Sequence, residues 1–442
     1  MHPYKAKKFP SRVLSQLMAP IDNIQLILFR IVFGLLLFWH CIEAMTSDFV
    51  EKNFVQPKYT FSHIGMEWLQ PLPGNGMYYY FGLMALSGLL ISIGLFYRYS
   101  LGLFTILWWG AYLMQKTSYN NHYYLLILIC IIMLFLPANR SHSADVKINP
   151  GIRQETMPNW CRWSLILQIA IVYFFSTVAK LYSGWLDGSF VKELLLRHAI
   201  PELGNLYQQK WFPLFIAYSG LLFDFLIVPL LLWKKTRKYA FAASIFFHIF
   251  NKMHLGIGIF PFLALSFSIL FFPPEFFRKY FRTGNPKASY NPQKKLLLYF
   301  FIPFFIVQLL LPIRHYFIKG DVLWTEEGHR LSWRMMLRHK TGITKFIVVD
   351  NKTKKQEVYK LRKLLTKKQI RVMRTKPDMI WQTTQKIKEE YQRKGMDISI
   401  YVDSRVSVNG RPFVRLINPT ADFTKVEWNY FFHNDWILPY KL

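Results

Sequence analysis

From position 24 to position 316 the chain alternates long apolar runs with short, mostly basic connections. Nine runs stand out, at 24–45, 76–96, 99–115, 121–137, 162–182, 211–233, 238–252, 255–272 and 294–316, against the roughly 20 residues a helix needs to cross a bilayer. Those at 99–115, 121–137, 238–252 and 255–272 are short for a crossing, so tilted pairs or half-buried hairpins fit them as well. After 317 the pattern changes. TKFIVVD (344–350) and DISIYVDSRVSVNGRPFVRLI (397–417) read as strands, with Asn409-Gly410 supplying a type I′ hairpin turn. Thr366 with Gln369 forms a capping box that opens one helix, and Pro377 starts another. The pattern predicts an all-α helical membrane bundle of about nine transmembrane helices over 1–316, followed by an extracytoplasmic α+β domain over 317–442.

Composition agrees with that division. Over the whole chain 52% of residues are hydrophobic and 18% aromatic, which suits a multi-span protein with a smaller soluble part. The formal charge of +30 comes without any RNA- or DNA-binding motif, so nucleic acid is not the expected partner. Basic residues instead set orientation. With the N-terminus inside, the inner segments hold nineteen Lys and Arg and the outer loops seven, which predicts a cytoplasmic N-terminus. An odd number of spans then puts the C-terminal domain outside, as in a protein of the cell inner membrane. Cys41, Cys130 and Cys161 have no metal-ligand spacing and form no disulfide framework. The first apolar run is too long for a cleavable signal peptide and lacks a small-residue cleavage site.

Several polar residues interrupt the spans. Lys180 ends the run ILQIAIVYFFSTVAK, with Ser176 and Thr177 a turn before it on the same helix face and Trp185 beyond it. The ordinary use of such a lysine is to anchor a helix end by snorkelling. Arg30, in the first span, reads the same way. Asp224 lies mid-span and is expected either to pair, with Arg30 the candidate, or to serve function. His248, Asn251 and His254 line the outer end of the seventh run, and Asn120, Asn121 and His122 open the fourth. The orientation above sends Lys180, His122, Asn121 and His248 to one half of the bilayer. A site there is within reach of a lipophilic molecule from the membrane and a polar one from outside.

These residues sit in motifs that carry a resemblance. KTSYNNHYYL (116–125), VAKLYSGWLDG (178–188), FHIFNKMHLGIGIF (247–260), WTEEGHRLSWRMM (324–336) and VDSRVSVNGR (402–411) resemble motifs of the vitamin K-dependent γ-glutamyl carboxylases. FRIVFG (29–34) and the stretch 69–98 are similar too, so the likeness covers nearly the whole chain in order. It resembles the bacterial members, part of a broader group of horizontally transferred transmembrane (HTTM) proteins. The resemblance implies an enzyme that oxygenates reduced vitamin K to the epoxide with O2. The strong base so formed removes a γ-proton from peptidyl glutamate, and the carbanion takes up CO2. By the same likeness Lys180 matches the active-site base, a role that needs an amine neutral part of the time. His122 matches the histidine of the carboxylation step, and Asn121 its neighbour near the quinol. Met335 and Met336 match a pair lining the quinone pocket, and His248, Asn251 and Trp324 complete the residues expected on the cofactor. The implied partners are a glutamate-containing protein or peptide, a phylloquinol or menaquinol from the lipid bilayer, and the membrane itself; no metal is implied.

Departures from the family pattern bear on the substrate. Ala179 stands where vertebrate relatives carry a second lysine, the chain stops short of the vertebrate enzymes, and Cys41 has no external cysteine to pair with. Three readings follow: a carboxylase, a quinol epoxidase that no longer carboxylates, and a quinone-binding protein or transporter with Asp224 and the membrane histidines as an ion path. A transporter of repeated halves puts its polar sites near the midplane between repeats, and no internal repeat is visible here.

Overall fold

The computed structural model describes residues 9–197, 204–255, 258–280 and 293–440. Lys5, Lys7, Lys8, Arg282 and Lys287 of the charge bias, and the side chain of His254, lie outside the described residues. Each apolar run coincides with a helical segment: α1 Ile24–Thr46, α2 Gly76–Ile93, α3 Tyr97–Met114, α4 Asn121–Phe135, α5 Asn159–Ala179, α6 Trp211–Leu232, α7 Arg237–Leu255, α8 Phe260–Phe267 and α9 Lys294–Phe317. Five of these (α1, α2, α5, α6 and α9) are long and apolar enough to cross a membrane, while α4 and α8 are apolar but shorter. Leu222, Phe225 and Leu226 on α6 and Ile302, Ile306 and Leu310 on α9 are exposed. A soluble domain does not leave such apolar ridges bare, and a bilayer covers them.

Helix ends follow local chemistry. Gly94 closes α2 in the left-handed conformation at φ 69°, a geometry glycine adopts without a Cβ penalty. The start of α3 is capped from a distance, because the Asp145 carboxylate accepts from the Phe96 and Tyr97 amides at 2.7 and 3.1 Å. Asn120 caps α4 by accepting from the His122 amide at 2.9 Å. Arg30 does not pair with Asp224. Its Nη1 and Nη2 donate to the carbonyls of Ala138 and His142 at 2.9 and 2.8 Å, so a buried cation is held by backbone oxygens near the end of α4.

Helices α1 and α2 touch backbone to backbone through Gly34 and Gly88. A Cβ at 34 falls 2.7 Å from Ser92 Cα, and one at 88 falls 2.7 Å from Phe38 N. Small residues permit this approach between apolar helices, where close packing replaces the hydrophobic effect. Gly34→Val is therefore expected to force the pair apart, at a cost of about 1–3 kcal/mol by analogy with overpacked cores. A fall in the thermal midpoint in detergent checks it, and an unchanged midpoint means the contact is dispensable.

The C-terminal region carries a four-stranded antiparallel sheet, β1 Lys340–Asp350, β2 Gln356–Val358, β3 Ile398–Val408 and β4 Val414–Arg415, in the order β2-β1-β3-β4. Strands β1 and β3 pair along their full length, from Lys340 opposite Val408 to Asp350 opposite Ile398. Asn409 and Gly410 both have positive φ, 51° and 74°, as a type I′ turn requires. The capping box at Thr366 and Gln369 is formed at the start of α10 (Lys367–Met373), and Pro377 opens α11 (Pro377–Gln392). The core beneath the sheet is not built from this region alone. Phe61, from the loop between α1 and α2, is buried among Trp324, Met379 and Ile400. Gln369 and Gln382 fasten the same loop by donating to the carbonyls of Tyr59 and Ser62 at 2.8 and 3.0 Å.

Buried charge joins the two parts. Asp378 on α11 accepts from Lys116, just after α3, at 2.6 Å and from Arg330 at 2.8 Å. Glu326 is held by Arg338 and Lys376, with Lys340 at 3.2 Å. Burial alone would raise the Glu326 carboxyl, but these three cations outweigh it and hold it well below the usual carboxylate range. Cys41, Cys130 and Cys161 are buried free thiols.

Candidate functional site

Helix α5 ends at Lys180, whose amide still donates to the Thr177 carbonyl at 3.0 Å. The side chain turns back along the helix. Its Nζ donates to Ser176 Oγ at 2.8 Å and to the Asp224 carboxylate of α6. The Ser176 hydroxyl donates to the same Asp224 Oδ2 at 2.6 Å. The Trp185 ring stands 5.3 Å from Nζ, and its indole N–H is spent on the Ala217 carbonyl at 3.0 Å. Lys180 and Asp224 are only 8% and 6% exposed, so the lysine is not a snorkelling anchor. It is one half of a buried ion pair, and Asp224, expected opposite Arg30, is the other half. A carboxylate left alone at that depth is costly, and among the described residues the cation it pairs with is Lys180. The trio of amine, hydroxyl and carboxylate can accept a proton and hold it out of bulk water.

Two turns before Lys180 on α5, Tyr173 begins a second polar row. Its hydroxyl lies 3.1 Å from His248 Nε2, and its carbonyl accepts from Thr177 Oγ1 at 2.9 Å. His248 meets Phe260 edge-on at 5.7 Å, and His122 stacks on Phe260 at 4.0 Å with the planes 10° apart. Phe260 thus stands between the two histidines. His248 Nδ1 is buried with no hydrogen-bond partner among the described residues. Asn251, half-buried, lies one turn further along α7. Asn121, beside His122, accepts from the Tyr119 hydroxyl at 2.8 Å and donates to the Arg334 carbonyl at 3.2 Å.

The segment that supplies Arg334 is backbone-strained. Leu331, Trp333 and Met336 all have positive φ (61°, 55° and 52°), a conformation that costs a bulky residue on the order of 1–3 kcal/mol each. The distortion buries Trp333 completely against Tyr124, with ring centroids 5.2 Å apart. Met335 follows it into the edge of the membrane core, while Met336 is 41% exposed. Trp324 is not gathered with the others. It is buried in the core of the C-terminal region, its indole N–H donating to the Leu438 carbonyl at 2.7 Å.

The structure therefore brings Lys180, at the end of α5, together with Asp224 of α6, and His122 of α4 together with His248 of α7 through Phe260 of α8. Tyr173 and Phe260, which link the two groups, went unnoticed in the sequence because aromatic residues at helical spacing read as core. Asp224 carried a usable signal, since a mid-span acid demands a cation at its own depth and Lys180 ends the adjacent span. Among the described residues no three His, Cys, Asp or Glu side chains are grouped to hold a metal.

Comparison with known proteins covers the chain in two stretches that part before α9 rather than after it. Residues 18–276 match the HTTM domain, and residues 293–442 match the vitamin K-dependent gamma-carboxylase, lumenal domain. No solved structure matches the chain.

Proposed function

The chain belongs to the vitamin K-dependent gamma-carboxylase family, and from that premise we propose a multi-pass membrane enzyme that couples oxygenation of reduced vitamin K to carboxylation of peptidyl glutamate. The observation that carries this reading is the buried Lys180–Asp224 pair beside the His122–Phe260–His248 row. The surroundings fit a hydroquinone: Phe260 offers a flat aromatic face, and the orphaned His248 Nδ1 and the Asn121 amide offer polar contacts to ring oxygens. When bound, reduced vitamin K supplies the reaction with O2 that yields the epoxide and a base strong enough for a glutamate γ-proton. In its neutral form Lys180 Nζ takes the phenolic proton, and Asp224 with Ser176 holds the resulting ammonium in place. His122 acts later, at the glutamate carbon that takes up CO2.

The same reading sets the surroundings of the enzyme. All nine apolar helices belong to the membrane part, 1–316, with the N-terminus cytoplasmic and 317–442 outside the inner membrane. The quinol arrives from the bilayer and the glutamate-bearing peptide from the side of the C-terminal domain. That domain holds 26 Lys and Arg against 13 Asp and Glu, a field that favours an acidic peptide.

Purified protein in neutral detergent, given reduced vitamin K, labelled bicarbonate and a Glu-containing peptide, is expected to form both epoxide and labelled peptide. Epoxide without label would reduce the activity to quinol oxygenation. His122→Ala is expected to lower carboxylation at least tenfold more than epoxide formation. Equal loss of both products would remove His122 from the second step.

A further inference from the structure

Beside the end of α5 the structure leaves a cavity of about 390 Å3. Ala179 and Leu181, the neighbours of Lys180 on either side, form part of its wall with Tyr182, and His315, Arg334 and Arg411 form another part. Arg334 is the unusual member. It is 8% exposed and makes no ion pair with any described residue. Its one side-chain contact to a neighbour is long, Nη1 to His315 Nε2 at 3.3 Å, and its Nε is buried with no partner among the described residues. His315 is a neutral neighbour there: Nδ1 faces the Pro312 carbonyl at 2.8 Å, which leaves Nε2 as an acceptor. The acid lining the same cavity, Asp321, is engaged by capping the short helix Val322–Thr325, where it accepts from the Leu323 amide at 2.8 Å.

A buried guanidinium in no direct ion pair is expensive, with Asp321 acting on it only from a distance, and its planar fork of donors matches a carboxylate in two hydrogen bonds. The arginine is also fixed in position. Its carbonyl is held by Asn121, next to His122, and the preceding Trp333 is locked in the membrane core. We propose that Arg334 binds the side-chain carboxylate of the glutamate that is modified, so that this cavity is the acceptor subsite, with exposed Arg411 among its lining residues. The assignment rests on the carboxylase reading above and adds to it the residue that selects the substrate. A glutamine, equal in shape but uncharged, leaves the guanidinium unpaired, and an aspartate is one methylene short of the same position.

The test uses detergent-solubilised full-length protein and two labelled peptides that differ only in Glu or Gln. Fluorescence anisotropy is expected to give at least tenfold tighter binding of the Glu peptide to the wild type. Arg334→Gln is expected to abolish that preference and raise the peptide KM of carboxylation tenfold or more, with a smaller change in kcat. Arg334→Lys, which keeps the charge but loses the fork, is expected to restore part of both. The wild type alone provides a second measurement, since glutarate raises its thermal midpoint and glutaramide does not. A Glu preference that survives in Arg334→Gln, or equal midpoint shifts with the two small molecules, overturns the subsite while leaving the carboxylase reading intact. An Arg334-dependent Glu preference in a protein that incorporates no label supports the subsite and overturns the carboxylase reading instead.

Discussion

Lys180→Ala is expected to lose epoxide formation and carboxylation together, by about two to four orders of magnitude, the usual contribution of a general base. The two products fall in step because the first proton transfer precedes both. Lys180→Arg is expected to do no better. A guanidinium keeps the ion pair with Asp224 but does not give up its proton in a protein, so it cannot take another. That variant separates the two roles the geometry allows, since an anchoring cation survives the exchange and a base does not. Asp224→Asn removes the negative charge that both Nζ and the Ser176 hydroxyl face, and it is expected to lower both activities as well. Each variant is first checked for a normal thermal midpoint, because a lost link between α5 and α6 also lowers activity. Epoxide formation near the wild-type rate in Lys180→Ala would exclude Lys180 as the base.

Asp378→Asn is expected to cost about 3–5 kcal/mol, the usual penalty for stranding buried partners of an ion pair. The carboxylate serves Lys116 and Arg330 at once, and Lys116 is fully buried. Burial would raise the Asp378 carboxyl, but the charges of Arg330 and Lys116 and their hydrogen bonds outweigh it and hold it well below the usual range. A depressed acid pKa contributes stability above the unfolded value of about 3.9, and that stability is lost as pH falls toward the folded value. The wild type is therefore expected to lose stability as pH falls below about 4, and the variant to start lower and lack this part of the acid limb. Lys116, pushed down to about 8 by burial against the pull of Asp378, loses its counter-charge in the variant. Denaturation in detergent at several pH values measures both effects. A variant that unfolds with the wild type at every pH contradicts the assignment.

Much of the helical framework was legible because long apolar runs have few other uses. The ends were less so: α8 begins at Phe260, five residues after the run that predicts it, and β1 begins at Lys340 rather than 344. Lys340-Thr-Gly-Ile lacks the alternation that marks a half-buried strand, and its place is set by pairing with β3. At the site, the charged and polar members drew notice individually, since any ionisable residue in a span does. Their pairing did not follow. Which of two intramembrane cations meets Asp224 depends on helix packing, and Arg30 had already been claimed by the carbonyls of Ala138 and His142. Arg334 stood out only as part of a motif, because one more arginine in a basic domain is unremarkable until its surroundings show it in no ion pair with a described residue.

Phe61 has a bearing on how the chain is made. Apart from Tyr59, whose ring lies 5.2 Å away, its fully buried cluster partners lie between Trp324 and Ile437 in the sequence, so it leaves the ribosome long before any of these. At roughly 5–20 residues per second the wait is on the order of tens of seconds, with an aromatic side chain lacking its socket throughout. The C-terminal domain, for its part, has no complete core to fold around until that loop has been placed at the membrane surface. The order expected from this is insertion of the helices first and closure of the C-terminal domain over the waiting loop last. Nascent chains arrested before the partners of Phe61 are complete should accordingly be among those that quality-control proteases find, since they display Phe61.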